Sequence, residues 1–359
     1  MYDLEIKNLS STGLYNYKKA EKNDCFLDLF NKLSQHHYNQ STHYRRIVDS
    51  LFNGQVKISS LEDAPYVPIQ LFKEFKLLSV AEEDVFRELR SSGTSGSMPS
   101  RVILDKDTAN LQTRTLVDIV SYEIGKSRMP MLAIDSKSVI EQSSSYSART
   151  AANIGFSRFS NDLIFCLDDS LRLEVPSLEK FVLKHSSTKS FLFGFTFLVW
   201  QFLDEVEMKK ISINLKNSIL IHGGGWKKME DRKVSKLDFQ QRIKNLLGIE
   251  RVIDYYGMAE QVGSIFMECP SGFFHTTSYS EVIIRDIFTH KSVKNGKEGL
   301  IQLLSLLPKS YPGHSILTED LGMIIGEDDC TCGRLGKYFK VLGRLKEAEI
   351  RGCSDTVAV

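Results

Sequence analysis

Hydrophobic positions along the chain change their period twice, and the changes divide it. Up to about residue 80 apolar residues recur at helical spacing, in Phe26–Leu33 and Tyr44–Phe52, among charged and aromatic neighbours. That period marks amphipathic helices, and Gly54 supplies a stop for the second. Pro65 and Pro68 interrupt the chain ahead of Ile69–Leu78. From Val102 on, apolar runs of strand length alternate with helical stretches. Val102–Leu104, Met131–Ile134, Leu163–Leu167, Ser218–Ile221 and Arg251–Tyr255 read as strands. Leu178–His185, Phe197–Met208 and Phe239–Leu247 read as helices, with another capped at Asp107-Thr108 and running to about Gly125. Strands spaced by helices predict an α/β architecture of mixed or parallel sheets flanked by helices. Past Glu281 strands follow one another (Val282–Ile287, Gly299–Leu306, Leu321–Ile325, Tyr338–Leu342), which predicts a smaller β lobe. The expected organisation is a helical part over 1–80, an α/β core over 81–265, a β-rich lobe over 266–343 and a tail over 344–359.

Composition narrows the class by exclusion. With 359 residues the chain can bury a sizeable core. Its 46 basic and 45 acidic residues nearly cancel, so no global field draws it to nucleic acid or an anionic membrane. The longest apolar run, Phe191–Leu203, is about 13 residues and too short for a bilayer span; it suits core packing or the wall of an apolar tunnel, as does Ile301–Leu307. No secretory signal opens the chain, and six cysteines do not form a secreted disulfide framework. A cytoplasmic protein is expected, with Cys25 and Cys166 in the core.

The chemistry begins with Ser91-Ser92-Gly93-Thr94-Ser95-Gly96-Ser97. Glycines allow close backbone approach, and exposed amides and hydroxyls donate to anionic oxygens, so this run suits a phosphate chain. It is not a Walker loop, because no Gly-Lys-Ser/Thr follows. Three later segments keep it company in order: Tyr255-Tyr256-Gly257-Met258-Ala259-Glu260, Thr318-Glu319-Asp320 and Gly343-Arg344-Leu345-Lys346. Together they resemble the adenylate-forming superfamily. Within it, the Ser/Gly run, Ser147-Ala148-Arg149, Ile221-His222-Gly223-Gly224-Gly225-Trp226-Lys227 and the ending Glu349-Ile350-Arg351-Gly352-Cys353 resemble the LuxE-type acyl-protein synthetases.

That resemblance implies ATP and Mg²⁺ as cofactors. The Ser91–Ser97 loop would hold the β- and γ-phosphates and Glu260 the Mg²⁺. Tyr256 and Gly257 would stand at the adenine face, with Gly224 and Gly225 giving backbone approach to it. Asp320 would take the ribose hydroxyls, and Arg344, with Lys346 close by, would reach ribose or phosphate. Pro99-Ser100 stands where many relatives have a phosphate-binding lysine. Only fifteen residues follow Arg344, so the small mobile domain of most members, with its catalytic lysine, is expected to be missing. The ending carries Cys353 where LuxE-type enzymes place an acyl-accepting cysteine; nine residues beyond Arg344, a released tail would reach about 30 Å.

The expected function is acyl-adenylate formation from a carboxylic, in this family fatty, acid, followed by transfer to Cys353. An NAD(P)H-dependent acyl reductase (LuxC-like) is the implied partner. Two alternatives stay open: a ligase that loads coenzyme A or a carrier, and a non-catalytic nucleotide-binding subunit. Cys269-x5-His275 and Cys330-x-Cys332 offer three thiols and an imidazole, a set suited to structural zinc or else two unrelated thiol pairs. His222 either lines the acyl pocket or is structural.

Overall fold

The computed structural model describes Tyr2, Glu5, Ile6, Leu9 and residues 12–90, 99–141 and 147–345. They fall into two units, one built from residues up to Ile119 and from Gly257 onward, the other from Val120–Tyr256.

In the first unit, α1 (Lys19–Gln40) buries Phe26, Leu29, Phe30, Leu33 and His37, one face of a 3.6-residue period. After it, α2 (Thr42–Phe52) is capped by the Ser41 hydroxyl, which accepts from the Tyr44 amide. Its stop is shared by Asn53 (φ 52°) and Gly54 (φ 73°), both left-handed. β1 (Val67–Pro68) and the short α3 (Leu71–Glu74) lead to β2 (Arg87–Arg90) and β3 (Arg101–Leu104). These two pair antiparallel, with Arg90 opposite Arg101. The run Ser91–Ser97 between them lies outside the described residues. α4 (Lys106–Ile124) opens earlier than expected because Asp105, not Asp107 or Thr108, takes the Thr108 amide, at 2.7 Å. Cys25 is exposed, against expectation: it sits on the outer side of α1 between the buried positions, whereas Cys166 is buried.

The second unit strings together β4 (Met129–Ser136), α5 (Ser138–Glu141), α6 (Ala148–Ser157), β5 (Ser160–Leu167), α7 (Val175–His185) and β6 (Ser190–Phe195). It continues through α8 (Thr196–Met208), β7 (Ser218–Gly223), α9 (Lys236–Leu247) and β8 (Arg251–Tyr256). The strands form a parallel sheet in the order β5-β4-β6-β7-β8. The winding therefore reverses at β4, whose successor β5 lies on one side and β6 on the other. The apolar run from Phe191 is not one element: β6, absent from the expected strands, hands over to α8 at Thr196. Every residue of β6 is buried, as in a parallel sheet covered on both faces. Leu192, Leu198, Phe202 and Leu203 share a core with Leu132, Leu220, Ile243 and Leu247, so this stretch serves packing.

Back in the first unit, β9 (Phe266–Met267) and β10 (Phe274–His275) precede β11 (Ser280–Arg285), β12 (Gly299–Ser305), β13 (Ser315–Glu327) and β14 (Lys337–Arg344). β10 to β14 form an antiparallel sheet ordered β10-β14-β13-β12-β11, to which β1 adds in parallel through Val67 opposite Ile316. The expected Leu321–Ile325 is the later part of the 13-residue β13. Phe26 and Phe30 of α1 pack with Tyr279, Leu304 and Leu306, joining chain segments about 250 residues or more apart. Beside them the Lys22 ammonium lies 3.0 Å from Glu281 Oε2 and donates to the Ser280 carbonyl at 2.8 Å. No described helix is long and apolar enough to cross a membrane.

Candidate functional site

The site residues expected from sequence divide between the units. In the second, β7 ends in Gly223, and Gly224 (φ 77°) and Gly225 (φ 70°) turn the chain with left-handed backbone. A Cβ on Gly223 would meet the Tyr255 carbonyl at 2.5 Å, and one on Gly224 the Phe195 ring at 2.4 Å. Packing alone thus demands those two glycines. Gly225 meets nothing within 4 Å, so it is the open position of the turn. Tyr255 is buried and packs with Phe156 and Phe193 (ring centroids 5.6 and 6.2 Å apart), while Tyr256, next along β8, is half-buried on the other face.

His222, also at the end of β7, is a neutral structural group on this geometry. The Thr196 hydroxyl donates to the Gly223 carbonyl at 3.1 Å, so its oxygen accepts from His222 Nδ1 at 3.0 Å. Burial, aided by the nearby Lys236 charge, pushes the imidazole pKa down to about 3.

In the first unit, Gly257 is followed by Glu260 in a single helical turn, Ala259–Gln261. The neighbouring amide anchors that turn: Gln261 Nε2 donates to the Leu303 and Gly313 carbonyls at 3.1 and 2.8 Å. Tyr311 adds a hydroxyl to the Glu260 carbonyl at 2.9 Å. The backbone is held at three points, yet Glu260 is only 3% exposed and its Oε1 has no hydrogen-bond partner among the described residues. Burial raises its carboxyl above the ordinary range, opposed by the Ser100 hydroxyl and, at longer range, by Lys73 and Arg344. A buried carboxylate oxygen without a donor is costly unless something else meets it, and a divalent cation fits that need.

Asp320 and Arg344 stand directly across β13 and β14. Arg344 Nε is 3.9 Å from Asp320 Oδ1, while its Nη2 donates to Glu319 Oε2 at 2.6 Å. Glu319 in turn accepts from Gln70 Nε2 at 2.6 Å. Sequence reasoning quoted Thr318-Glu319-Asp320 without a role for Glu319. Its place beside Arg344 is invisible in sequence, because register across two strands decides it. Ser100 was missed too, because only the fold brings it to Glu260. Lys346, Cys353 and Ser91 to Gly96 lie outside the described residues.

The two cysteine-containing segments of the first unit converge. Ligand atoms of Cys269, His275, Cys330 and Cys332 all lie within 4.8 Å of one another. Cys269 Sγ and Cys330 Sγ are 3.9 Å apart, and Cys332 Sγ and His275 Nε2 are 3.4 Å apart. Tetrahedral zinc with ordinary Zn–S and Zn–N lengths would set these separations at about 3.8 and about 3.5 Å. Gly272 (φ 82°) and Gly333 (φ 83°) close the two turns by donating to the Cys269 and Cys330 carbonyls at 2.8 and 2.9 Å. Burial holds His275 down at about 4, neutral as a metal ligand must be. The arrangement fits zinc.

Comparison with known proteins places this architecture. Two solved structures of 2-hydroxyisobutyryl-CoA ligase, one open with 2-HIB-AMP and CoA and one in the postadenylation state, superpose with TM-scores of 0.72 and 0.70 at 15% identity. They cover 92% and 91% of this chain and 76% and 69% of theirs. The fold is that of the large domain of adenylate-forming ligases. The chain belongs to the acyl-protein synthetase (LuxE) family, whose profile matches residues 6–359. It is similar to two proteins named long-chain-fatty-acid–luciferin-component ligase. That of Vibrio harveyi is 24% identical over 89% of this chain and 84% of its own length; that of Aliivibrio fischeri is 24% identical over 90% and 85%. The enzyme class that follows is an ATP-dependent, AMP-forming ligase.

Proposed function

We propose that this chain activates a long-chain fatty acid as its acyl-adenylate and passes the acyl group to the thiol of Cys353, for delivery to an NAD(P)H-dependent acyl reductase. The observation that carries the reading is Glu260, a buried carboxylate with one oxygen that no described residue meets, in the same unit as the Asp320–Arg344 pair. In the first step a carboxylate oxygen of the acid attacks the α-phosphorus of ATP; the new O–P bond forms as the bond to pyrophosphate breaks. Asp320 holds the ribose hydroxyls as acceptors, and Arg344, steadied by Glu319, faces the developing negative charge. Glu260, with the phosphates, would hold Mg²⁺, which when bound screens the two anions from each other. In the second step the Cys353 thiolate attacks the acyl carbon, a thioester forms and AMP leaves with the electron pair. The Cys269, His275, Cys330 and Cys332 set would hold a structural zinc that clips the ends of the antiparallel sheet together.

The test is intact mass after incubation with ATP, Mg²⁺ and a panel of fatty acids. A gain of one acyl group, removed by neutral hydroxylamine and absent from Cys353→Ser, is expected. Acid-dependent pyrophosphate release without an adduct would reassign the acceptor to coenzyme A or a carrier. The absence of both signals would sink acid activation itself.

A further inference from the structure

The motif Ser147-Ala148-Arg149 has no role in the scheme above, and its surroundings in the second unit are unusual. It opens α6, with Ser147 as N-cap: the Ser147 hydroxyl accepts from the Thr150 amide at 3.0 Å. Arg149 therefore lies in the first turn of a ten-residue helix that has no acidic residue there. A helix N-terminus carries a partial positive charge of about 0.5, so this is the end where a cation is least welcome. Local rules broken in this way, with no gain in packing, tend to mark function.

The one described counter-charge is Asp135, next to last in β4 and 1% exposed. Asp135 accepts from the Asn153 side-chain amide at 2.9 Å and the Ser136 amide at 2.7 Å. Arg149 Nε comes within 3.1 Å of Asp135 Oδ2 but too obliquely for a hydrogen bond. Had neutralising Asp135 been its task, the guanidinium fork would meet the carboxylate squarely through two bonds. Instead Asp135 braces one side, and the Nη groups have no hydrogen-bond partner among the described residues, although the side chain is only 14% exposed. The charges balance to about half a unit of positive charge left over. Asp169 is the other acid at this end of β4, joined to Ser136 Oγ at 3.2 Å, and it is exposed.

Position supplies the second argument. β4 and β6 are the strands between which the winding of the sheet reverses, and Asp135 is at the carboxyl end of β4. In open α/β sheets ligands settle in the crevice outside the carboxyl ends of the strands at that reversal. Arg149 is a partly buried cation with donors that no described residue meets, beside that point and on a helix N-terminus.

We propose that Arg149 binds an oxyanion of the substrates, with Asp135 and Asn153 as positioning residues. The shared chemistry is a carboxylate or a phosphate oxygen, which the acid and the nucleotide respectively supply. The inference rests on the acid-activating function proposed above.

Calorimetric binding of dodecanoate and of Mg²⁺–ATP, each titrated alone, tests it in the full chain carrying Arg149→Gln, Arg149→Lys or the pair Asp135→Asn/Arg149→Gln. Loss of a charge-assisted donor is expected to weaken one ligand about ten- to hundred-fold, with Lys recovering part of it. Weaker dodecanoate binding assigns the carboxylate; weaker ATP binding assigns the phosphate. The double variant removes the unbalanced Asp135 charge, so it should regain thermal stability without regaining affinity. Unchanged affinities in folded Arg149→Gln would overturn the proposal, as would wild-type affinity in the double variant, since Arg149 would then only balance Asp135. A wild-type chain that binds neither ligand would remove the proposed function as well.

Discussion

Replacing Lys22 by Met tests how the first unit is closed. The ammonium sits 3.0 Å from Glu281 Oε2 and from Thr276 Oγ1, with the two charged side chains 4% and 1% exposed. Burial pulls the Lys22 pKa down, with Glu281 opposing. Burial pushes Glu281 up, but Lys22 and Lys337 outweigh it and hold the carboxyl below its ordinary range. Removing one partner of a buried pair costs about 3–5 kcal/mol, because the other charge is stranded. Here Lys337 remains, 3.6 Å from Glu281 Oε1, so the low end applies, about 3 kcal/mol. For a unit of this size that is a fall in Tm of about 6–12 °C. Scanning calorimetry and urea unfolding read it directly. Lys22→Met/Glu281→Leu should recover most of the loss, since no charge is then stranded. A single variant within about 1 kcal/mol of wild type, or a double variant no better than the single, would refute the account.

Three further outcomes are expected. Cys332→Ser should lower zinc content, measured by elemental analysis of the purified chain, from about one per chain to well below half, with Cys269 and Cys330 becoming reactive to a thiol reagent. Glu260→Gln should cut acid-dependent pyrophosphate exchange by about 10²-fold or more while leaving the melting temperature unchanged or higher, because a buried charge is removed; wild-type exchange should also fall on acidification as the raised carboxyl takes up its proton. In the first unit His37 and His314 are both driven down by burial, His314 to about 3, so unfolding takes up protons below about pH 6.5. Stability should therefore drop as pH falls from that value, by about 1.4 kcal/mol per pH unit for each histidine, and urea midpoints that stay flat between pH 7 and 5 would contradict it.

Elements whose signal is local were legible in the chain. The helices around Phe26–Leu33 and Phe239–Leu247 follow from periodicity, and the strands at Leu163–Leu167 and Arg251–Tyr255 from short apolar runs with polar bounds, because both signals lie within a few residues. β6 escaped, because in Phe191–Leu203 it runs straight into an apolar helix with no polar boundary between them. The start of α4 slipped for a smaller reason: Asp105, Asp107 and Thr108 are all good caps, and geometry picked Asp105.

By itself the sequence determined the chemistry on offer: an ordered set of adenylate-forming motifs and two cysteine-containing segments, since motif order and residue type survive without coordinates. Tertiary structure decided which of those groups meet. It drew His275 and three thiols from segments about 54 residues apart to zinc-ligand distances. It joined Glu319 to Arg344 by strand register, and it left Glu260 buried with an oxygen that no described residue meets. It also made one unit from the two ends of the chain, through β1 on β13 and Lys22 on Glu281. Such pairings depend on burial and on distances across hundreds of residues, and no local pattern encodes either.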